Sequence, residues 1–391
     1  MNAVAIICEY NPFHSGHAYH IAQAKALSGA DCVLGMMSGF FTQRAEPAVV
    51  SPQIRALAAL RGGMDIVAEM PAVFACSAGN IFARGAVRAI SRIPFVKYLA
   101  IGAEDCGETI KNIAEVQCEQ NKTYVSALKS ALSAGMPYAA AITHATVSAA
   151  PKTEDCEQVL SKPNNVLAVE YLKAIYELKC DIAPVFVKRL GNGYNNTETV
   201  GEHISATAAR ELLMQKRYDE LQPYVPKESF ELLIDEFERY PVNEKLYEAL
   251  SVHALRTKNI ANAFDSAEGL DIKISENAAK YASLSQIIAK SKSKRYTMSR
   301  IKRICLQTLL GITGETVERS QNAAARLIAI KKARKSLING LTGLAVKNAD
   351  YSNLSDDALF SAQTDALAGS IYSLITSKDG NAFWNRKLIT E

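Results

Sequence analysis

No stretch of the chain approaches the ~20 consecutive apolar residues that a membrane-crossing helix requires. The N-terminus shows no basic segment followed by an apolar run and a cleavage site, so no secretory leader is expected. Eight cysteines, at 8, 32, 76, 106, 118, 156, 180 and 305, include no C-x-x-C pair. That spacing speaks against a zinc ribbon and against a disulfide framework, and a reducing cytoplasm is the expected location. Internal repeats and low-complexity segments are also missing. Charge of one sign is not in large excess: the formal net charge is only +4, so the overall balance names no partner.

What is present is the make-up of a globular protein, with 48% apolar and 21% charged residues over 391 positions. Two or three domains are the natural expectation at that length. Apolar runs at 3–8, 32–37, 65–69 and 96–101 read as strands, with helical patterns at 15–27, near 52–62 and at 78–92 between them. Strand, helix, strand at such intervals predicts α/β architecture with parallel pairing, and the unbroken apolar strands predict cover on both sheet faces. A fifth strand at 182–188 follows a helical insertion at about 107–150 and a helix from Val166 to Leu178. Beyond about residue 225 helical patterns dominate, at 228–252, 276–290, 297–310 and 318–337, ahead of a mixed tail. The expected division is therefore 1–225 and 226–391.

The sharpest local signal is His14-Ser15-Gly16-His17, directly after the first strand and opening the first helix. Open parallel sheets bind ligands at the carboxyl ends of their strands. A helix N-terminus there offers free N–H groups and a positive dipole end to a phosphate. Gly16 removes a side chain where backbone and phosphate approach closely. Two imidazoles less than a turn apart can donate hydrogen bonds to phosphoryl oxygens as charge builds during displacement. His20, one turn on, would instead complete a metal site. A second signal is Ile204-Ser-Ala-Thr-Ala-Ala-Arg210. Ser205 or Thr207 can cap a helix beginning there, and the same terminus with Arg210 one turn in would seat β- and γ-phosphates. Between Lys290 and Arg303 stand Lys290, Lys292, Lys294, Arg295, Arg300, Lys302 and Arg303 with no acidic residue among them. A solvated face is the ordinary meaning of such a run; contact with a polyanion is the functional one, with Tyr296 stacking on a base. Arg326, Lys331, Lys332, Arg334 and Lys335 form a second basic cluster.

H-x-G-H after the first strand, with the segment around Ser205, Thr207 and Arg210, resembles the HxGH nucleotidylyltransferase superfamily, although Ala206 stands where Ser is frequent. The blocks Glu9-Tyr-Asn-Pro-Phe-His-Ser-Gly-His17, Met37-Ser-Gly39, Gln43-Arg-Ala-Glu-Pro47, Ser161-Lys-Pro-Asn-Asn-Val-Leu167, Ser205-Ala-Thr207 and Arg295-Tyr-Thr-Met-Ser-Arg300 narrow this. Together they are similar to the bacterial tRNA(Met) cytidine acetate ligase family over about residues 3–345. The resemblance implies a Rossmann-like parallel sheet of the HxGH nucleotidylyltransferase type with a mainly helical, tRNA-binding C-terminal domain. It implies activation of acetate by ATP as acetyl-adenylate, then acetylation of the exocyclic amine of the wobble cytidine of elongator tRNA(Met). Mg²⁺ would travel with the nucleotide, without a dedicated metal site in the protein.

By that resemblance Ile7, Cys8, Glu9, Tyr10, Asn11, Pro12, Phe13, His14, Ser15, Gly16, His17 and His20 hold ATP, with His14 and His17 as the catalytic pair. Gly102 would lie under adenine or ribose; Asn164 or Asn165, ahead of a helix, and Arg189, more than its neighbour Lys188, would reach the nucleotide. Read alone, each has a structural meaning: a turn glycine, a cap, a surface charge. Gln43, Arg44 and Glu46 sit in a polar loop after the second strand and are candidates for gating the pocket, whereas Met36 and Met37 are ordinary strand core. Two other functions fit parts of the sequence. A small-molecule adenylyltransferase explains the first half and leaves the basic region idle. A non-catalytic, ATP-regulated RNA-binding protein explains the basic region and leaves the paired histidines idle.

Overall fold

The computed structural model describes residues 1–105, 107–149, 156–189, 204–293, 295–341, 343–351, 355–378, 384 and 386–391. Five strands run parallel: β1 (Ala3–Cys8), β2 (Cys32–Ser38), β3 (Ile66–Met70), β4 (Val96–Ala103) and β5 (Ala183–Lys188). Helices α1 (Ser15–Ser28) and α2 (Pro52–Arg61) follow β1 and β2. Alternation along β1 explains the layering, because successive side chains point to opposite faces. Val4 and Ile6 pack with Ile21, Ala24, Ala56 and Leu60 of α1 and α2. Ala3 and Ala5 join Phe82, Val87 and Ile90 of the helix Gly79–Ser91 and Ala168 and Leu172 of the helix Pro163–Glu177.

Strand order is β5-β4-β1-β2-β3. The chain runs outward from β1 through β2 to β3, then crosses back to place β4 on the other side of β1. Connections therefore leave in opposite directions at β1, and a crevice opens beyond its carboxyl end, the usual ligand position in an open parallel sheet.

The second half departs from its expected texture. Helices Lys227–Arg239 and Glu244–Thr257 are separated at a segment containing Pro241, which cannot continue a hydrogen-bonded helix. Helices Leu270–Lys280 and Leu284–Ser291 replace the single one expected at 276–290, while Met298–Leu310 matches its reading. No helix spans 318–337. There, β6 (Ala325–Ile330) pairs antiparallel with β3 and is buried at all six positions, and β7 (Leu344–Ala345) and β8 (Ile389–Thr390) pair with it. Six residues, apolar but for Arg326, carry no period that tells strand from buried helix; the open edge of β3 decided the matter. Arg326 is accordingly 4% exposed and donates to the Asn348 side chain and the Arg386 carbonyl, so it does not belong to a basic surface.

One buried cation ties the strand ends together. Arg55 of α2 is 1% exposed. Its guanidinium donates to the carbonyls of Val50 (3.2 Å), Glu9 (2.6 Å) and Ser38 (3.0 Å), and also to that of Gly39. Replacing it with Met strands those carbonyls in the interior, where an unpaired polar group costs about 1–3 kcal/mol. Arg55→Met is therefore expected to lower unfolding free energy by about 3 kcal/mol or more in a urea titration. A loss below about 1 kcal/mol would mean that other groups satisfy the carbonyls.

Candidate active site

The turn after β1 is built from several constraints acting together. Tyr10 takes a left-handed backbone (φ 52°) and the Asn11–Pro12 bond is cis. The Asn11 side-chain oxygen accepts from the Val49 N–H at 2.8 Å. Phe13 is 3% exposed and packs edge-on against Tyr10, which itself packs against His17.

α1 then opens with an unusual cap. His14 is the N-cap residue; its Nδ1 accepts from the Gly16 N–H at 3.1 Å, while the His14 N–H donates to Nδ1 of His17 at 3.3 Å. This is a capping box written with two imidazoles. The rings stack with centroids 3.7 Å apart at 27°. Gly16 suits the position, since a Cβ there would sit 3.0 Å from the His14 ring and press it out of place. Because each Nδ1 accepts, each neutral ring carries its proton on Nε2 and can donate outward. Burial, then the neighbouring His14, Arg189 and His20, holds the His17 pKa well below its usual value. His20 is pushed down to about 4 by burial and by Arg189, and its buried Nε2 has no partner among the described residues. No acidic residue occupies the first turn of α1, so its positive end is left for an anion.

The cleft above this turn is lined by Ile7, Cys8, Glu9, Tyr10, Asn11, His14, His17, His20, Gly102, Asn164, Arg189, Ser205, Thr207 and Arg210. Pro12, Phe13, Ser15, Gly16 and Asn165 are not among its lining residues and shape it from behind. On the β4–β5 side, the Arg189 N–H donates to the Ala103 carbonyl at 3.0 Å. A Cβ at Gly102 would meet nothing of the protein closer than 3.6 Å, so packing alone does not demand glycine there. Asn164 and Asn165 lie inside the first turn of their helix, after Pro163, rather than ahead of it. The structure separates their positions. Asn164 faces the cleft and donates to the Glu104 carboxylate at 2.6 Å. Asn165 is fully buried, accepts from the Glu104 N–H and donates to Asp105 and to the Val159 carbonyl.

On the opposite wall, Ser205 caps the helix Ala206–Met214, accepting from the Ala208 N–H at 3.0 Å. Thr207 Oγ1 accepts from Arg44 and from Arg210, each at 3.3 Å, and Arg210 also donates to the Asn11 carbonyl at 2.8 Å. Gln43 and Arg44 line the cleft; Glu46 instead pairs with Lys302 at 2.6 Å. Glu104, Phe82, Leu167 and Tyr171 also line it and escaped the sequence reading. Glu104 alone carried a usable signal, two residues beyond Gly102 at a strand's carboxyl end.

The basic run divides. Lys290, Lys292 and Arg295 are exposed, Arg295 lying 3.5 Å from Glu268; Lys294 lies outside the described residues. Arg300 pairs with Glu268 at 3.3 Å, Lys302 with Glu46, and Arg303 with Asp265 at 2.6 Å, where both partners are largely buried. Tyr296 is 9% exposed and gives its hydroxyl to the Glu268 carbonyl. It is part of the helical core rather than a stacking platform.

Residues 1–385 match the family model described as HIGH Nucleotidyl Transferase. The tRNA(Met) cytidine acetate ligase of Caldanaerobacter subterraneus subsp. tengcongensis is 34% identical over 385 residues, 96% of this chain and 95% of that protein. The protein of the same name from Thermoanaerobacter sp. (strain X514) is 37% identical over 317 residues, 80% of this chain and 79% of its own. Thermotoga maritima TmcAL bound with alpha-thio ATP superimposes with a TM-score of 0.91 at 28% identity, covering 100% of this chain and 99% of that one.

The depressed histidines set a pH dependence. The folded chain refuses protons that unfolded His17 and His20 accept below the ordinary imidazole value of 6.5. Unfolding therefore takes up protons at these two groups, so their contribution to stability is level above about pH 6.5 and falls on acidification towards the folded values. Between pH 7.5 and 5 the urea midpoint of the unaltered protein should fall relative to that of His20→Gln; a constant difference between the two would remove His20 as a source.

Proposed function

This chain belongs to the HIGH nucleotidyl transferase family and, within it, to the tRNA(Met) cytidine acetate ligases, and from that premise we propose that it activates acetate with ATP and acetylates the exocyclic amine of the wobble cytidine of elongator tRNA(Met). The observation that carries the reading is the imidazole capping box at the positive end of α1, with an Nε2–H on each ring. An acetate oxygen attacks the α-phosphorus in line, the bond to pyrophosphate breaks, and acetyl-adenylate remains. Little covalent work falls to the protein; positioning and charge compensation dominate such displacements. His14 and His17 supply donors to the phosphoryl oxygens, and the lowered pKa of His17 keeps that ring a neutral, directed donor.

Adenosine lies on the β4–β5 side, over Gly102 and near Asn164 and Arg189. The β- and γ-phosphates face Ser205, Thr207 and Arg210 at the capped N-terminus of the helix Ala206–Met214. Among the described residues no group of three or more His, Cys, Asp or Glu is placed to cage a metal ion. Magnesium would enter on the triphosphate and neutralise part of its charge. In the second step the cytidine amine takes the acetyl group and AMP leaves. Lys290, Lys292 and Arg295 are exposed cations of the 290–303 run that would meet tRNA phosphates. None of the helices in the described residues is long and apolar enough to cross a membrane, and action on tRNA in the cytoplasm is part of this proposal.

His14→Asn keeps a cap acceptor while removing the Nε2 donor, and His17→Gln does the same for the second ring. Each should lower acetate-dependent ATP–pyrophosphate exchange by about 10²–10³-fold, with tRNA affinity retained; exchange within threefold of the unaltered protein would remove the rings from the chemistry. Changing Lys290, Lys292 and Arg295 together to Gln should weaken tRNA binding and reduce the slope of log affinity against log salt by roughly 2–3. An unchanged slope would place the RNA contact elsewhere.

A further inference from the structure

Two carboxylates face a cleft that otherwise presents cationic and neutral groups, Glu9 and Glu104. Fixed anions do not help to hold a triphosphate, so each needs another reason to be there. Glu104 has one. It stands beyond β4 on the adenosine side, its carboxylate accepting from Asn164 and its N–H held by Asn165. Glu9 stands beyond β1 on the other side, where the β2 connection begins. Its Oε1 accepts from the Gln43 N–H at 2.7 Å and lies 3.5 Å from the Ser38 hydroxyl. Among the described residues no hydrogen bond engages Oε2. The carboxylate is thus aimed by one oxygen and open at the other.

Strand order assigns the space beside it. With adenosine over β4 and β5, and the α-phosphate at the His14–His17 pair beyond β1, departure of pyrophosphate from the wall of Ser205, Thr207 and Arg210 leaves the β1–β2 side for the acyl acceptor. Resting on the function proposed above, we infer that Glu9 is the proton acceptor for the attacking amine in the transfer step. The exocyclic amine of a cytosine is a weak nucleophile because its lone pair is drawn into the ring. Its proton becomes acidic only as the new bond forms, which is the situation a placed base assists, by about 10²–10⁴-fold. Nitrogen bonds to the acetyl carbon, the bond from that carbon to the phosphate oxygen breaks, AMP departs with the electron pair, and the amine proton passes to Glu9 Oε2. Acetate has no proton to lose in the first step, so the assistance belongs to the second alone.

The test separates the two steps on the full-length protein. Acetate-dependent ATP–pyrophosphate exchange measures activation. A single-turnover mix of enzyme, ATP and labelled acetate with tRNA measures transfer. Glu9→Gln preserves an acceptor for the Gln43 N–H, and its thermal unfolding is followed as a control for folding. The ratio of transfer rate to exchange rate should fall by about 100-fold or more, and Glu9→Asp should recover part of it. A fall of both rates together would reduce Glu9 to a wall of the cleft and overturn the inference, as would transfer unaffected in Glu9→Gln. If the unaltered protein shows no acetate-dependent exchange, the proposed function fails, and the inference fails with it.

Discussion

A single buried guanidinium holds the place where the chemistry is proposed. Arg55 ties together the carbonyls at the ends of β1 and β2 and the Val50 carbonyl just before α2. Burial pushes its pKa down from the ordinary arginine value, yet it remains the natural cation for the role, because its planar fork satisfies several fixed acceptors at once. The turn carrying the histidines starts two residues after Glu9, and the loop carrying Gln43 and Arg44 starts two residues after Gly39. Loosening this clamp would move both walls of the cleft together.

Given that anchor, the helix cap becomes the proposed phosphate-binding device. An N-cap satisfies an orphan backbone N–H, and here the groups that do so are imidazoles. Using each Nδ1 for the backbone fixes the tautomer and the ring plane, so both remaining donors have set directions. Stacking the rings at 3.7 Å penalises charge on either one. The same contacts that stabilise the first turn of α1 therefore act with burial to hold His17 uncharged.

The second half of the chain supports the site from outside it. The loop at 40–48 is held by Lys302 on Glu46 and by the Tyr372 hydroxyl on the Ala48 carbonyl at 2.9 Å. Gln307 is fully buried and donates to the Cys76 carbonyl. Asp365, whose carboxyl is pushed up to about 8 chiefly by burial, accepts from the Ala72 N–H at 2.6 Å. Cations that read as a continuous basic surface are partly consumed in this work, since Arg300, Lys302 and Arg303 each find an acidic partner within the fold.

What the sequence determined is what depends on neighbours along the chain. Apolar runs separated by helical periods marked β1 to β5 and their parallel order of connection. His14-Ser-Gly-His17 marked a helix start at a strand's carboxyl end, and Ser205 marked a second cap. Those signals are local, because caps and periodicity are written within a few residues. Tertiary structure decided the rest. Ala325–Ile330 became a strand because β3 offered an unpaired edge more than 250 residues earlier. Asn164 and Asn165 parted because a helix turns adjacent residues by about 100°, one to the cleft and one to the interior. Nothing in the helical pattern near 52–62 marks Arg55; only the folded chain brings the carbonyls of Glu9, Ser38 and Gly39 to it. Which charge meets which partner is set by distances across the fold, and no local pattern records them.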